Sequence, residues 1–233
     1  MAYQFDFGQV VSGEYGQWLV SGLVTTLHIS AISIVLSLAL GTVIAVMRLS
    51  KVRPLVWFSA SYTEFFRNTP LLVQIFFWYF GSYNVLPNVV NEWLYQRDFE
   101  FACGVIALTV YTSAFIAEEI RSGIFSIPKN QLEASRACGL SFTQAMAYVI
   151  LPQAFRVIIP PLISQFLNLI KNSSLVMTIG VMDLTYMARQ VEAHTFHGFE
   201  AFTVSTAMYL CISLLVSLGV NLYNRRVLRV RSH

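Results

Sequence analysis

The chain has 233 residues, of which 56% are hydrophobic and 12% charged, with 15 Lys and Arg against 12 Asp and Glu for a net charge of +3. A mean hydropathy of +0.60, with a charged fraction about half that of soluble domains, excludes an ordinary water-soluble globule and makes lipid the expected solvent. Cys103, Cys138 and Cys211 are odd in number and widely spaced, which excludes a disulfide framework or a zinc spacing; no nucleic-acid partner is expected.

In chain order, residues 1–17 carry no Lys or Arg, so the basic flank of a cleaved signal is missing and the first apolar segment is expected to be retained. That segment, Trp18 to Met47, contains no Lys, Arg, Asp or Glu and exceeds the roughly 20 residues a span needs. His28 stands alone within it and is expected to face the bundle and hydrogen-bond there, rather than to ligate metal or carry protons. The second span, Leu55 to Tyr83, is interrupted by Glu64, Arg67 and Pro70. Each charge inside a bilayer costs about 2.5–3.5 kcal/mol on insertion scales, and Glu64 and Arg67, three apart, can pair to offset it. A structural ion pair and a substrate contact are both open readings of that pair. Asn84 to Glu100, with Pro87, Trp93 and Tyr95, suits a short interfacial helix, and Phe101 to Ala117 is the third span.

Ser122 to Pro152 reads as a charged helical hairpin between segments too apolar for water. Asn130 with Glu133 can cap one helix, Gly139 can end it, and Ser141 with Gln144 can cap a second helix running towards Pro152. Such definition suits an element that presents a shape to a partner; a structured loop without a partner is the plainer alternative. The fourth span, about Val157 to Val181, carries Pro160, Pro161 and the polar run Lys171, Asn172, Ser173, Ser174, and is expected to be a broken helix. Unwound backbone at membrane depth needs protein or water over it, so this run is the candidate substrate cavity, with Lys171 balancing a ligand carboxylate or else snorkelling to the interface. Asp183 to Glu200 is expected to be a polar connection in which His194 and His197 are surface histidines or, less favourably, metal ligands. Ala201 to Tyr223 is the fifth span.

Arg48, Lys51, Arg53, Arg121, Lys129, Arg136 and the tail residues Arg225, Arg226, Arg229 and Arg231 fall on one side, against Arg97 and Arg189 on the other. The positive-inside rule then places the N-terminus outside, and the hairpin and C-terminus in the cytoplasm. None of the three lysines, Lys51, Lys129 and Lys171, is followed by Ser or Thr, so a phosphate-binding G-x-x-x-x-G-K-[ST] loop is absent. No convergent nucleophile, base or metal set can be assembled, and a membrane-bound enzyme is not expected.

Glu133-Ala134 followed by Gly139, with Leu151-Pro152 beyond, resembles the EAA loop of ABC-importer permease subunits. Phe66-Arg67-Asn68-Thr69-Pro70-Leu71-Leu72-Val73-Gln74, Pro152-Gln153-Ala154-Phe155-Arg156 and Leu169-Ile170-Lys171-Asn172-Ser173-Ser174-Leu175 are similar to signatures of the polar amino acid permeases, most of all those for glutamate and aspartate. The likeness runs from about Gly22 to Asn224 and departs at Asn68 and Asn130, where the family often has Gly, and at Asn172, where an acidic residue is common. It implies the all-α type I importer permease fold: a single transmembrane domain over 1–233 with about five spans, an outer segment at 1–17, a cytoplasmic coupling loop at 121–150 and a basic tail at 224–233. It implies a multi-pass subunit of a bacterial inner membrane, paired with a second permease and two ATPase subunits, and fed by a periplasmic amino acid-binding protein. The chain itself would hold no cofactor, ATP and Mg being bound by the ATPase. Glu133, Ala134, Arg136 and Gly139 map onto the ATPase-coupling loop, while the charged and polar groups inside the apolar segments, Glu64, Arg67, Lys171, Asn172, Ser173 and Ser174, are the substrate-pathway candidates. An ion-coupled secondary transporter or channel would also bury polar groups but has no need of the capped hairpin.

Overall fold

A computed structural model describes the backbone of residues 5–96 and 98–227, and the side chains of these except at residues 83, 93, 94 and 220–227. The expectations resting on Arg97, on the Trp93 ring and on the side chains of the basic tail (224–233) therefore lie outside the described residues. Among the described residues there is no strand. The order is α1 (Phe7–Val11), α2 (Gly13–Leu49), α3 (Arg53–Arg67), α4 (Leu71–Val85), α5 (Asn88–Tyr95), α6 (Phe99–Phe125), α7 (Lys129–Ala137), α8 (Phe142–Ala145), a π-turn (Met146–Ile150), α9 (Leu151–Asn172), a 3-10 segment (Ser173–Ile179), α10 (Leu184–Thr195) and α11 (Gly198–Val227).

Among the described residues four helical stretches are long and apolar enough to cross a membrane: Gly13–Leu49, Phe99–Phe125, Phe142–Ile179 and Gly198–Gly219. The second expected span is not one of them. It divides into α3 and α4 at Asn68-Thr69-Pro70, because Pro70 has no N–H to donate and its ring would strike the carbonyl of Phe66 four residues back. The fourth expected span needs the opposite correction. Pro160 and Pro161 sit inside an uninterrupted α9, and the chain at Lys171 and Asn172 is α-helical, then tightens into the 3-10 segment instead of unwinding. Lipid offers the backbone no substitute hydrogen bonds, so the helix persists through its prolines.

The helices α2 and α6 form the centre. With no hydrophobic drive between helices in lipid, close contact depends on small residues, and α2 buries Thr26, Ser30, Ser33 and Ser37 along one stripe. The main apolar cluster joins Ile29 of α2, Ile75 of α4, Cys103 and Leu108 of α6, and Val176 and Ile179 of the 3-10 segment. His28 is not part of it: its side chain is exposed, with the ring 5.4 Å from that of Phe101, so the bundle-facing role expected for it is not met. The interfacial helix is present as α5, where Tyr95 stacks on Phe99 at 4.2 Å.

The expected polar connection after Asp183 is instead the packed helix α10, whose Leu184, Ala188 and Val191 recur at helical spacing and are fully buried with Leu19 and Val10. Asp183 caps it, Oδ1 accepting from the Tyr186 N–H at 2.9 Å and Oδ2 from the Tyr209 hydroxyl at 3.0 Å, and burial pushes its carboxyl up to about 6. An acid whose folded pKa is raised binds its proton more tightly when folded, so stability is greatest below the unfolded value and declines as pH rises through about 6. Relative to Asp183→Asn, wild-type stability is expected to fall by about 1 kcal/mol between pH 5 and 7.5. Thermal unfolding of both proteins at the two pH values checks this, and parallel pH profiles would count against it.

The segment between α10 and α11 separates the two histidines. The left-handed Phe196 ends α10 after Thr195, so His194 and His197 do not share a helix face. His194 Nδ1 lies 2.8 Å from the Gln190 carbonyl, and His197 Nδ1 lies 3.3 Å from the buried Glu200 carboxylate. Among the described residues no group of three His, Cys, Asp or Glu could hold a metal ion.

Candidate functional site

The hairpin that follows α6 and leads into the Phe142–Ile179 stretch is built from two arms. Its first helix does not start at Asn130. Pro128 is the N-cap residue, the Gln131 N–H bonds to the Pro128 carbonyl at 3.0 Å, and Asn130 lies inside the first turn, so the expected Asn130–Glu133 capping pair is absent. A proline at the entry needs no amide partner and pre-sets the helical φ, which moves the boundary two residues earlier. The other end is as expected. Gly139 adopts φ +87°, its N–H bonding to the Arg136 carbonyl at 3.0 Å and that of Leu140 to the Ser135 carbonyl at 3.2 Å, a Schellman stop. Ser141 and Gln144 make the reciprocal capping box.

Glu133, Ala134, Arg136 and Gly139 are all exposed, as are Ala137 and Cys138 beside them. Ser135, Ala145 and Ile150 are buried between the arms. The second arm is continuous with α9 through the π-turn, so a single helical rod runs from Phe142 to Asn172. It crosses α6 closely at Gly123, where any side chain would collide with Ile158.

The division between α3 and α4 is closed by its own side chains. The Asn68 amide donates to the Glu64 carbonyl at 2.7 Å, Thr69 Oγ1 to the Phe65 carbonyl at 2.9 Å, and Gln74 Nε2 to the Phe66 carbonyl at 3.1 Å. The Glu64 carbonyl also accepts the Asn68 backbone N–H at 3.2 Å, and Thr69 and Gln74 satisfy the orphan carbonyls of Phe65 and Phe66 in the last turn of α3, which permits a helix end at this depth. Gln74 Nε2 also reaches the Thr69 hydroxyl at 2.7 Å and the Thr69 carbonyl at 3.3 Å.

Glu64 and Arg67 do not pair. Glu64 Oε2 accepts from Asn68 Nδ2 at 3.0 Å, and the Arg67 guanidinium sits 5.5 Å from the Phe115 ring of α6. The run after Lys171 divides by orientation as well. Lys171 is exposed, Asn172 and Ser174 are partly exposed, and Ser173 is fully buried, its hydroxyl donating to the Ile170 carbonyl at 2.8 Å and meeting Ser30 Oγ at 3.4 Å. Ser173 is thus a contact between helices, whereas Lys171 continues an exposed polar line with Ser164 and Asn168.

The third span runs past its expected end at Ala117 and takes in a charged group. α6 continues through Glu118, which holds Arg121 in a two-bond pair at 2.6 and 2.9 Å, and Glu119, which accepts from Gln165 of α9 at 3.3 Å. The spacing Glu118–Arg121 was the available signal.

The description "binding-protein-dependent transport system inner membrane component" matches residues 12–229. The chain belongs to that family. This permease is 43% identical to the probable glutamine ABC transporter permease protein GlnM of Bacillus subtilis over 208 residues, covering 89% of this chain and 92% of the relative. It is 34% identical to the glutamate/aspartate import permease protein GltJ of Escherichia coli over 229 residues, covering 96% and 92%. Among solved structures, a chain of an amino acid ABC transporter crystallised with histidines superposes on the permease with a TM-score of 0.86 at 34% identity, over 97% of this chain and all of that one. The protein is accordingly a multi-pass permease subunit of an amino acid ABC importer with the type I fold, and the reading as a secondary transporter or channel falls away.

Proposed function

We propose that this permease carries glutamate or aspartate inward by alternating access, driven by ATPase subunits that seat on the hairpin face of Glu133, Ala134, Arg136 and Gly139. The observation that carries the coupling half of this reading is the exposed, doubly capped hairpin joined without a break to α9. Hydrolysis of ATP with Mg belongs to the partner, and a binding protein delivers the amino acid. Residues 1–233 form one membrane domain, with the N-terminus outside and the hairpin in the cytoplasm.

A second permease copy or paralogue is supported by the incomplete burial of the later helices. Only 17% of the most apolar window of the Phe142–Ile179 rod and 11% of that of α11 is buried within this chain, against 56% for α6. Helices so poorly covered, one of them bearing exposed Ser164, Asn168 and Lys171, fit a polar path enclosed between two subunits. Lys171 and Arg67, with neutral Asn172, favour an anionic or neutral amino acid over a cationic one. Glutamine is the second reading, favoured by the likeness to GlnM.

Uptake into proteoliposomes holding the full complex, with unlabelled competitors, tests the substrate. Glutamate and aspartate are expected to compete at least tenfold better than arginine or lysine, a difference of about 1.4 kcal/mol. Selectivity for a basic amino acid would overturn the electrostatic argument, and selectivity for glutamine alone would choose the second reading. Orientation is tested on Cys138, which is exposed on the hairpin. In a Cys211→Ser background a membrane-impermeant maleimide should label it only from the cytoplasmic side; labelling on intact cells would invert the scheme.

A further inference from the structure

The joint between hairpin and α9 is a wide turn, and one side chain spans it. At Met146–Ile150 the ladder lengthens to the π pattern, with the Leu151 N–H bonding to the Met146 carbonyl five residues back, immediately before Pro152. Such a turn is looser than the α-helix on either side and persists where surrounding contacts hold it, often at functional positions. Gln153 supplies two of those contacts through one amide nitrogen. Its Nε2 donates to the Val149 carbonyl inside the wide turn at 2.8 Å and to Gln131 Oε1 on the opposite arm, α7, at 3.5 Å. The same atom thus ties turn, arm and rod together.

We propose that Gln153 is a positioning residue for coupling: it locks the wide turn and the α7 arm to α9, so that displacement of the hairpin moves the membrane rod as one body. The proposal rests on the reading that the hairpin receives the ATPase. Gln153 touches neither nucleotide nor amino acid. Its loss changes how much hairpin motion reaches α9, and α9 delivers that motion to α6 through the Gly123–Ile158 crossing and the Gln165–Glu119 hydrogen bond.

The test compares wild type, Gln153→Leu, Gln131→Leu and the double variant Gln153→Lys/Gln131→Glu, which replaces the amide pair by an ion pair. Each is made as the complete complex in proteoliposomes. Three quantities are read: ATPase co-eluting with the permease, ATP hydrolysed per amino acid imported, and the distance distribution between spin labels at Asn130 on α7 and Ser164 on α9. Gln153→Leu should keep the ATPase bound, raise ATP consumed per amino acid about fivefold, the population shift that one hydrogen bond controls, and broaden the distribution. Gln131→Leu should broaden the distribution with a smaller change in stoichiometry, and the ion-pair variant should restore both towards wild type. Wild-type stoichiometry and an unbroadened distribution in Gln153→Leu, with ATPase bound, would overturn the proposal alone. Failure of the ATPase to co-elute with wild type would instead remove the docking reading on which it rests.

Discussion

Gly139→Val is expected to leave the membrane helices in place and to reduce ATP-driven import about tenfold, because a β-branched residue is a poor occupant of the left-handed conformation required there. Gly139 sits at φ +87° with open space around the position of a Cβ, so the cost is backbone strain and not collision. For L-residues that strain is roughly 1–2 kcal/mol, about a factor of ten in the population of a correctly stopped hairpin. Both hydrogen bonds of the Schellman stop, to Arg136 and Ser135, depend on it, and they set the angle between the exposed face of α7 and the second arm. Gly139→Asn is the control, since asparagine tolerates the left-handed region, and it should transport near the wild-type rate. Import measured in proteoliposomes with the binding protein present decides the matter. Unimpaired transport by the valine variant would remove Gly139 from the coupling element.

Gln74→Leu should be the most destabilising single change in the divided span. The side chain is 5% exposed and its amide serves the carbonyls of Phe66 and Thr69 at a depth where water cannot replace it. Leaving a buried acceptor without a donor costs about 1–3 kcal/mol, and in a chain of this size each kcal/mol lowers the unfolding temperature by roughly 2–4 °C. A drop of several degrees in the purified complex is expected. Gln74→Glu, which keeps the shape but removes the donor at neutral pH, should behave alike. An unchanged unfolding temperature in both variants would show that the division is held by other contacts.

Local signals translated directly: Gly139 ends α7, Ser141 and Gln144 cap the second arm, and the long apolar runs are α2, α6, α9 and α11. These depend on neighbours within a few residues. The ion-pair reading of Glu64 and Arg67 is not met: Glu64 accepts from Asn68, and the Arg67 guanidinium lies over the ring of Phe115, which another helix supplies. Ser173 is adjacent to Lys171 in sequence, yet consecutive residues on a helix point about 100° apart, and Ser173 turns towards Ser30. α10 was legible in the spacing of Leu184, Ala188 and Val191, but the surrounding Asp, Arg, Glu and His residues obscured it.

By itself the sequence determined that this is a helical membrane permease with a capped hairpin, because hydrocarbon thickness sets the length of an apolar run and turn chemistry is a property of a few adjacent residues. Only the tertiary structure decided which prolines divide a helix. Pro70 does, with Thr69 and Gln74 at hand to take the freed carbonyls of Phe65 and Phe66, while Pro160 and Pro161 do not. It also decided which polar groups face outward and which become contacts between helices, since in lipid a polar side chain is settled by the partner another helix brings to it.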